Sequence, residues 1–295
     1  MAVAHLTPRD RAILLFVILV WGLNFPIAKL GFTELPPLLV TAARFALVAA
    51  LLVPFVPVPR GRIGHLLFIS VTLGSMHFSL MFLGLSRIDS ATVAIASQLT
   101  VPFAALLAAI VFKDYLGWRR GLGMAIAFSG VAVMSGEPRI LDDPFPMIAV
   151  VLASLLWAIA NIQIKRLGGI DGMVLNGWMA LFAAPQLLVI SWLVEGEGWG
   201  RAADAGLFGW GADGYMAVMV TIVGYGLWYR LLAAYPVNQI MPYTLLMPLI
   251  GVGAGIGLLG EPFTWTIAIG GAFTLVGVAI IIWRRPRLTD RQPTP

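Results

Sequence analysis

Apolar residues in this chain come in blocks about twenty long, broken by short polar or turn-forming stretches. A hydrocarbon core about 30 Å thick needs roughly 20 residues of helix to cross it. Ten blocks are long enough: residues 11–30, 37–57, 64–85, 90–112, 117–136, 146–167, 172–194, 212–234, 238–260 and 264–284. Turn chemistry separates them at Pro36-Pro37, at the Pro57–Gly61 stretch, at Gly168-Gly169 and across the polar residues 195–213. The pattern predicts an all-α polytopic membrane protein of ten transmembrane helices.

The blocks repeat. The stretch from Asp89 to Trp118 and the stretch from Pro236 to Trp265 each place a proline mid-segment, Pro102 and Pro248. Each ends in an apolar run, an acid (Asp114, Glu261) and a tryptophan (Trp118, Trp265). Each then enters a glycine-punctuated helix containing Gly130 or Gly277. Trp21 and Lys29 in the first block match Trp157 and Lys165 in the sixth. Residues 1–140 and 141–295 thus read as two five-helix repeats of one membrane domain. Five is odd, so the second repeat must lie inverted relative to the first, as in alternating-access carriers whose site sits near the midplane between the halves.

Composition strengthens this picture. The chain is 60% hydrophobic and 11% charged, with a mean hydropathy of +0.92. The net charge of +5 could suggest nucleic acid. The basic residues instead sit in short connections, where they determine topology, so no nucleic-acid partner is expected. Most of them, Arg9, Arg11, Arg60, Arg62, Lys113, Arg119, Arg120, Lys165, Arg166, Arg230, Arg284, Arg285, Arg287 and Arg291, fall on the side that holds the termini. Lys29, Arg87, Arg139 and Arg201 fall on the other. Both termini are therefore expected in the cytoplasm. Cysteine is absent, which excludes disulfides and cysteine metal sites. No cleavable signal follows the first apolar run.

WGLNFPIAK in the first block, the Pro102 and Pro248 helices and LLGEPFTWTIAIGGAFTLVGVAIII at the end resemble the drug/metabolite transporter superfamily, in its EamA-type branch. Within that branch the chain most resembles YddG-type amino-acid exporters. The resemblance spans residues 11–284 and implies ten helices, cytoplasmic termini, a bacterial inner membrane and export of small metabolites.

Polar residues inside apolar spans are costly and are functional candidates by default. Asn24, His77, Gln98, Trp157, Asn161, Tyr225, Trp228 and Tyr243 are candidates to line a central cavity. Amides and a histidine would hydrogen-bond a zwitterion, and aromatic faces would pack its side chain or attract its ammonium group. Each has a structural rival: interhelical glue for the asparagines, packing for the tryptophans, a satisfied core role for His77, a backbone cap for Gln98. Arg44, off-centre in its span, reads as snorkelling or as holding a carbonyl at a helix break. Lys29 and Lys165 read as helix-end anchors, and Trp118, Trp265 and Trp283 as interfacial ones. Pro102 and Pro248 are the expected hinges. Small residues four apart, Gly251/Gly255 and Gly253/Gly257, would let a neighbouring helix approach closely.

Every acid falls in a loop or at a span end, so transport is expected to be facilitative, with coupling through His77 as the alternative. No Walker loop, HExxH or serine triad is present, so neither an enzyme nor a cofactor is expected. The expected partners are a small-molecule substrate, an amino acid first, and the lipid bilayer, with the chain as a monomer. Other readings are export of nucleosides or drugs, a lipid-handling protein or a membrane-embedded enzyme.

Overall fold

A computed structural model describes residues 6–112, 117–235 and 237–282. Lys113, Asp114, Trp283, Arg284, Arg285, Arg287 and Arg291 lie outside the described residues. The rest folds into ten long helical rods: α1 (Pro8–Gly31), α2 (Pro37–Phe55), α3 (Ile63–Leu85), α4 (Ser90–Phe112), α5 (Trp118–Ser135), α6 (Phe145–Leu167), α7 (Gly172–Gly198), α8 (Leu207–Ala234), α9 (Met241–Leu259) and α10 (Trp265–Ile282). Among the described residues, nine of these, all but α5, are long and apolar enough to cross a membrane. α5 has 18 residues but opens on Arg119 and Arg120. It packs along α10, the most extensive helix pair in the bundle. The ten predicted spans thus all appear as helices, an arrangement consistent with the expected repeat.

The rods alternate in direction. One end of the bundle, here the terminal end, holds the start of α1, where Tyr235 Oη of α8's trailing residue donates to Asp10 at 2.7 Å. The other, distal end holds Lys29, Glu34, Glu195 and Glu261. Their carboxylates cap neighbouring helices across the bundle. Glu195 accepts from the Leu38 and Leu39 N–H groups at the start of α2. Glu34 accepts from Gly206 and Gly209 at the start of α8. First-turn N–H groups have no partner within their own helix, so a carboxylate placed there satisfies them and complements the helix dipole.

The polar stretch 195–213 is shorter than the sequence suggests. α7 runs on to Gly198, a short helix spans Arg201–Asp204, and α8 begins at Leu207. Asp213 therefore lies within α8 rather than ahead of it. Its turn-like neighbours Gly209, Gly211 and Gly214 mask the helix in sequence, and the Glu34 cap fixes its true start.

Glycine faces join α5 to α10. A Cβ on Gly123 would lie 2.8 Å from the Gly277 carbonyl oxygen, and one on Gly130 would strike Thr274 and the Gly270 backbone. Gly130→Leu is expected to separate this pair and lower the melting temperature of the detergent-purified protein, whereas Gly121→Leu, facing open space, is not. Overpacking costs typically about 1–3 kcal/mol, and here the obstruction is backbone that cannot swing aside. In α9 the glycines divide. Gly251 meets Ala94 and Gly22, and Gly255 meets Ser90 and Glu261. Gly253 and Gly257 face open space, so only the first pair forms a close crossing.

Four irregular segments mark matching places in the two halves. α3 widens to a π-helix over Ser70–His77, and α8 does so over Tyr215–Gly224. α4 tightens to a 3-10 turn over Ser97–Leu99 before Pro102, and α9 opens with one over Met241–Leu245 before Pro248. Each proline is the third residue of the α-helical stretch that follows. π-helical turns are rare and gather at functional sites.

Candidate functional site

Neighbours hold both π-helical segments through side chains. On α3, His77 Nδ1 donates to the Ala153 carbonyl of α6 at 2.8 Å, and Gln163 of α6 donates to Thr72 at 3.1 Å. Gln186 of α7 accepts from Ser75 at 2.6 Å and donates to Ser70 at 2.8 Å. On α8, Trp21 Nε1 of α1 donates to the Val220 carbonyl at 3.2 Å, while Tyr215 Oη returns a bond to the Val20 carbonyl at 2.8 Å. Arg44 of α2 donates twice to Thr221. The first and second helices of each half thus hold the third helix of the other.

The aromatic candidates fall into two clusters around these segments. His77 is 4% exposed and its ring lies 4.9 Å from Trp157, which also meets Phe78 edge-on. With Nδ1 committed to a carbonyl, His77 positions Trp157. Across the bundle, Trp21 lies 4.9 Å from Tyr225 and 5.3 Å from Trp228. Gly224 lacks the Cβ that would come within 2.6 Å of the Trp21 indole nitrogen. Trp228 is 7% exposed and belongs to a small apolar cluster with Leu14, Val17, Ile18, Leu231, Tyr235 and Ile240. Tyr243 packs on the edge of that cluster.

This small cluster, built from the terminal halves of α1 and α8 and from Ile240, is separate from the main core. Within Thr100–Phe112 of α4, Pro102 is the only residue buried. Asn161 of α6 is exposed although it shares a helix face with the buried Val150 and Ser154 and with Trp157. Its exposure on that face makes it a candidate to line a cleft between the halves. Gln98 lies in the 3-10 turn at the head of this cleft and is half-buried. Asn24 stands deeper on α1, where its Oδ1 is buried without a hydrogen-bond partner. Lys165 caps the mouth, its Nζ 4.1 Å above the Phe112 ring. The candidate lining above Lys165 carries amides, hydroxyls and aromatic rings without a fixed charge.

At the distal end Glu261 ties the two halves together. Glu261, just past α9, accepts from Ser90 N at 2.7 Å, Ser90 Oγ at 2.8 Å, Ala91 N at 3.1 Å and Lys29 Nζ at 2.9 Å. Lys29 also donates to the Ile88 carbonyl at 2.7 Å, so it seals rather than anchors in lipid. Burial pushes the Glu261 carboxyl up, but the Ser90 and Ala91 N–H groups, Lys29 and the Ser90 hydroxyl outweigh it and hold the group below the ordinary carboxylate range. Around this seal, Arg139 pairs with Asp89 at 2.9 Å, and Glu137 accepts from Thr264 and Thr266.

Two expectations are corrected. Arg44 does not snorkel: it is 2% exposed and holds a threonine side chain rather than a carbonyl. The acids are not all at span ends: Asp213 lies inside α8 and is 5% exposed, which removes the ground for expecting facilitative transport. Sequence reasoning also missed the anchoring roles of Trp21, Gln163 and Gln186. Their signal, a polar or indole group inside an apolar span, was present, but its partner was not readable.

The fold is that of a polytopic helical membrane protein whose two halves are tied together at the distal end. The EamA-like transporter family's profile matches residues 11–136 and again residues 144–283, and the chain belongs to that family. It is 28% identical over 297 residues to a probable amino-acid metabolite efflux pump of Escherichia coli strain K12, covering 94% of this chain and 97% of that protein. It is 30% identical over 300 residues to the protein of the same description in Salmonella typhimurium strain LT2, covering 96% and 98%. An uncharacterised inner membrane transporter of Escherichia coli strain K12, YedA, is 24% identical, covering 82% of this chain and 80% of that protein. A crystal structure sharing 17% identity superimposes with a TM-score of 0.62, covering 92% of this chain and 96% of the other, which supports the fold. The protein is a membrane transporter.

Proposed function

We propose that this transporter exports small neutral or zwitterionic metabolites, amino acids first, by alternating access between two inverted five-helix repeats, residues 1–140 and 141–295. The observation that carries the reading is Asn161, exposed on an inward helix face at the mouth of a cleft whose far end Glu261 and Lys29 close. A cleft without a fixed charge suits a solute of zero net charge and disfavours a cationic drug, which would need a counter-charge. The efflux relatives named above favour amino-acid metabolites over nucleosides or lipids. The distribution of basic residues favours a cytoplasmic terminal end, and with it a cleft open to the cytoplasm. That orientation lets a cytoplasmic solute enter. Asn24, Gln98, Asn161 and Tyr243 supply hydrogen bonds, and Trp157 and Tyr225 the aromatic walls. Pro102 and Pro248 serve as hinges where α4 and α9 bend during the exchange.

The test is counterflow in proteoliposomes with a panel of labelled amino acids and nucleosides. Saturable exchange of neutral amino acids is expected. Trp157→Ala is expected to raise the half-saturation concentration about tenfold, by removing an aromatic wall worth about 1–2 kcal/mol. Exchange of nucleosides alone would keep the carrier and overturn the substrate. No exchange of any solute would overturn the carrier reading.

A further inference from the structure

The proposed cleft leaves one buried carboxylate unused. Asp213 is the seventh residue of α8, about 9 Å from its start at ~1.5 Å per residue. Arg44 enters from α2 at a similar depth. Its Nε and Nη2 donate to Thr221 Oγ1 at 3.2 and 2.8 Å, and the Thr221 hydroxyl donates to the Met216 carbonyl at 2.9 Å, across five residues of the π-helical segment. The Phe45 and Phe78 rings lie 5.7 and 5.2 Å from the guanidinium. Two atoms in this nest are buried and have no hydrogen-bond partner: Arg44 Nη1 and Asp213 Oδ1. The two side chains are within Coulombic reach of each other, yet no N–O contact within 4 Å joins them among the described residues.

The other charged and titratable groups nearby have partners of their own. From the α1 side, Lys29 is bound to Glu261, and Glu34 to the Gly206 and Gly209 N–H groups. Within α8, Tyr215 donates to Val20, and Tyr225 lies within Coulombic reach of Arg44. On α3, His77 is within the same reach of Arg44 but is bonded to Ala153. Arg44 is the buried cation on the α2 face that packs against this part of α8.

We propose that Asp213 is a proton-binding site that couples substrate movement to proton movement in the opposite direction, with Arg44 as its switchable partner. Both unpaired atoms are buried, and a proton is the smallest ligand that would satisfy the Asp213 carboxylate. With Asp213 ionised, the guanidinium is drawn toward it, because an unpaired buried charge is far costlier than a paired one. That motion releases Thr221. With Asp213 protonated, Arg44 stays on Thr221, the arrangement in this structure. Thr221 sits in the widened segment that leads directly to Tyr225 and Trp228. The proton and the substrate therefore bias one strip of helix, and each favours a different setting of it. Two ligands that favour different settings exchange for one another.

The proposal rests on the carrier reading above, and the experiment separates the two. Purified full-length protein is placed in proteoliposomes. Counterflow at equal pH tests the carrier. With valinomycin and equal potassium on both sides holding the membrane potential near zero, an inside-acid gradient of about one pH unit is then expected to drive roughly tenfold substrate accumulation at one proton per substrate. D213N is expected to keep counterflow and lose the gradient-driven accumulation. Proton release on substrate addition to the wild type in weakly buffered detergent tests the coupling without any variant. Absent counterflow in the wild type overturns both readings. Counterflow without a gradient response or proton release overturns the coupling alone, as does a D213N protein that responds to the gradient like the wild type.

Discussion

Glu261→Ala is expected to open the distal end. The carboxylate joins the two halves: it stands after α9, and its four hydrogen bonds go to Lys29 of α1 and to the first turn of α4. Its removal strands a half-buried ammonium and two helix N–H groups at once. Breaking one side of a buried pair typically costs about 3–5 kcal/mol, far more than a surface pair contributes. The closed arrangement bears that loss, because the partners lie on different halves. The chain has no cysteine, so one placed at Ser97 gives a unique label site. A membrane-impermeant maleimide added from the distal side should label Ser97→Cys slowly in the parent and much faster in the Glu261→Ala background. Equal labelling would show that the seal is elsewhere. The pH dependence follows from the lowered Glu261 value. The seal is at full strength above the ordinary carboxylate range and is lost as pH falls through that lowered value.

Arg44→Leu is expected to cost nearly as much, by a different route. It removes a buried cation from the α2 face that packs on this part of α8 and leaves the Asp213 carboxylate buried without it. It also frees Thr221 from α2. Yield and melting temperature of the purified protein should fall sharply. The double variant R44L/D213L should recover most of the loss, since replacing a whole buried pair by apolar groups is often neutral or stabilising. Failure of the double variant to recover would mean that Arg44 acts through Thr221 rather than through Asp213. A double-mutant cycle resolves the two contributions.

The helices were legible in the sequence because a bilayer imposes length and apolarity on any span. Ten helices were readable from blocks of apolar residues, and the repeat expected from Pro102 and Pro248 is consistent with the 3-10 turns that precede both prolines. Asp213 was misplaced because three nearby glycines look like a loop, and a cap supplied by Glu34 in another helix decides where α8 begins. Arg44 was visible as the one arginine inside a span, but its partner Thr221 lies 177 residues away. The π-helical segments left no local trace: Ser70–His77 and Tyr215–Gly224 share little in residue type. What they share is anchoring from the opposite half, which is a property of packing. Of the candidate residues, Trp157 and His77 come together, as do Tyr225 and Trp228. Asn161 is exposed toward the terminal end of α6 and Asn24 lies deeper on α1, a division that depth along each span suggested but could not orient.

A π-helical turn stores one residue more than the α-helix needs. Such a surplus can be handed along a helix, one position at a time, without any backbone hydrogen bond being left open for long. Each residue it passes is turned by about 100° about the helix axis, the angle of one α-helical step. For α8 that amounts to a screw motion: Tyr225 could be carried into or out of the cleft while Asp213 stays in place. The widened turns thus give the bundle a rotary degree of freedom, distinct from the bending that the prolines permit.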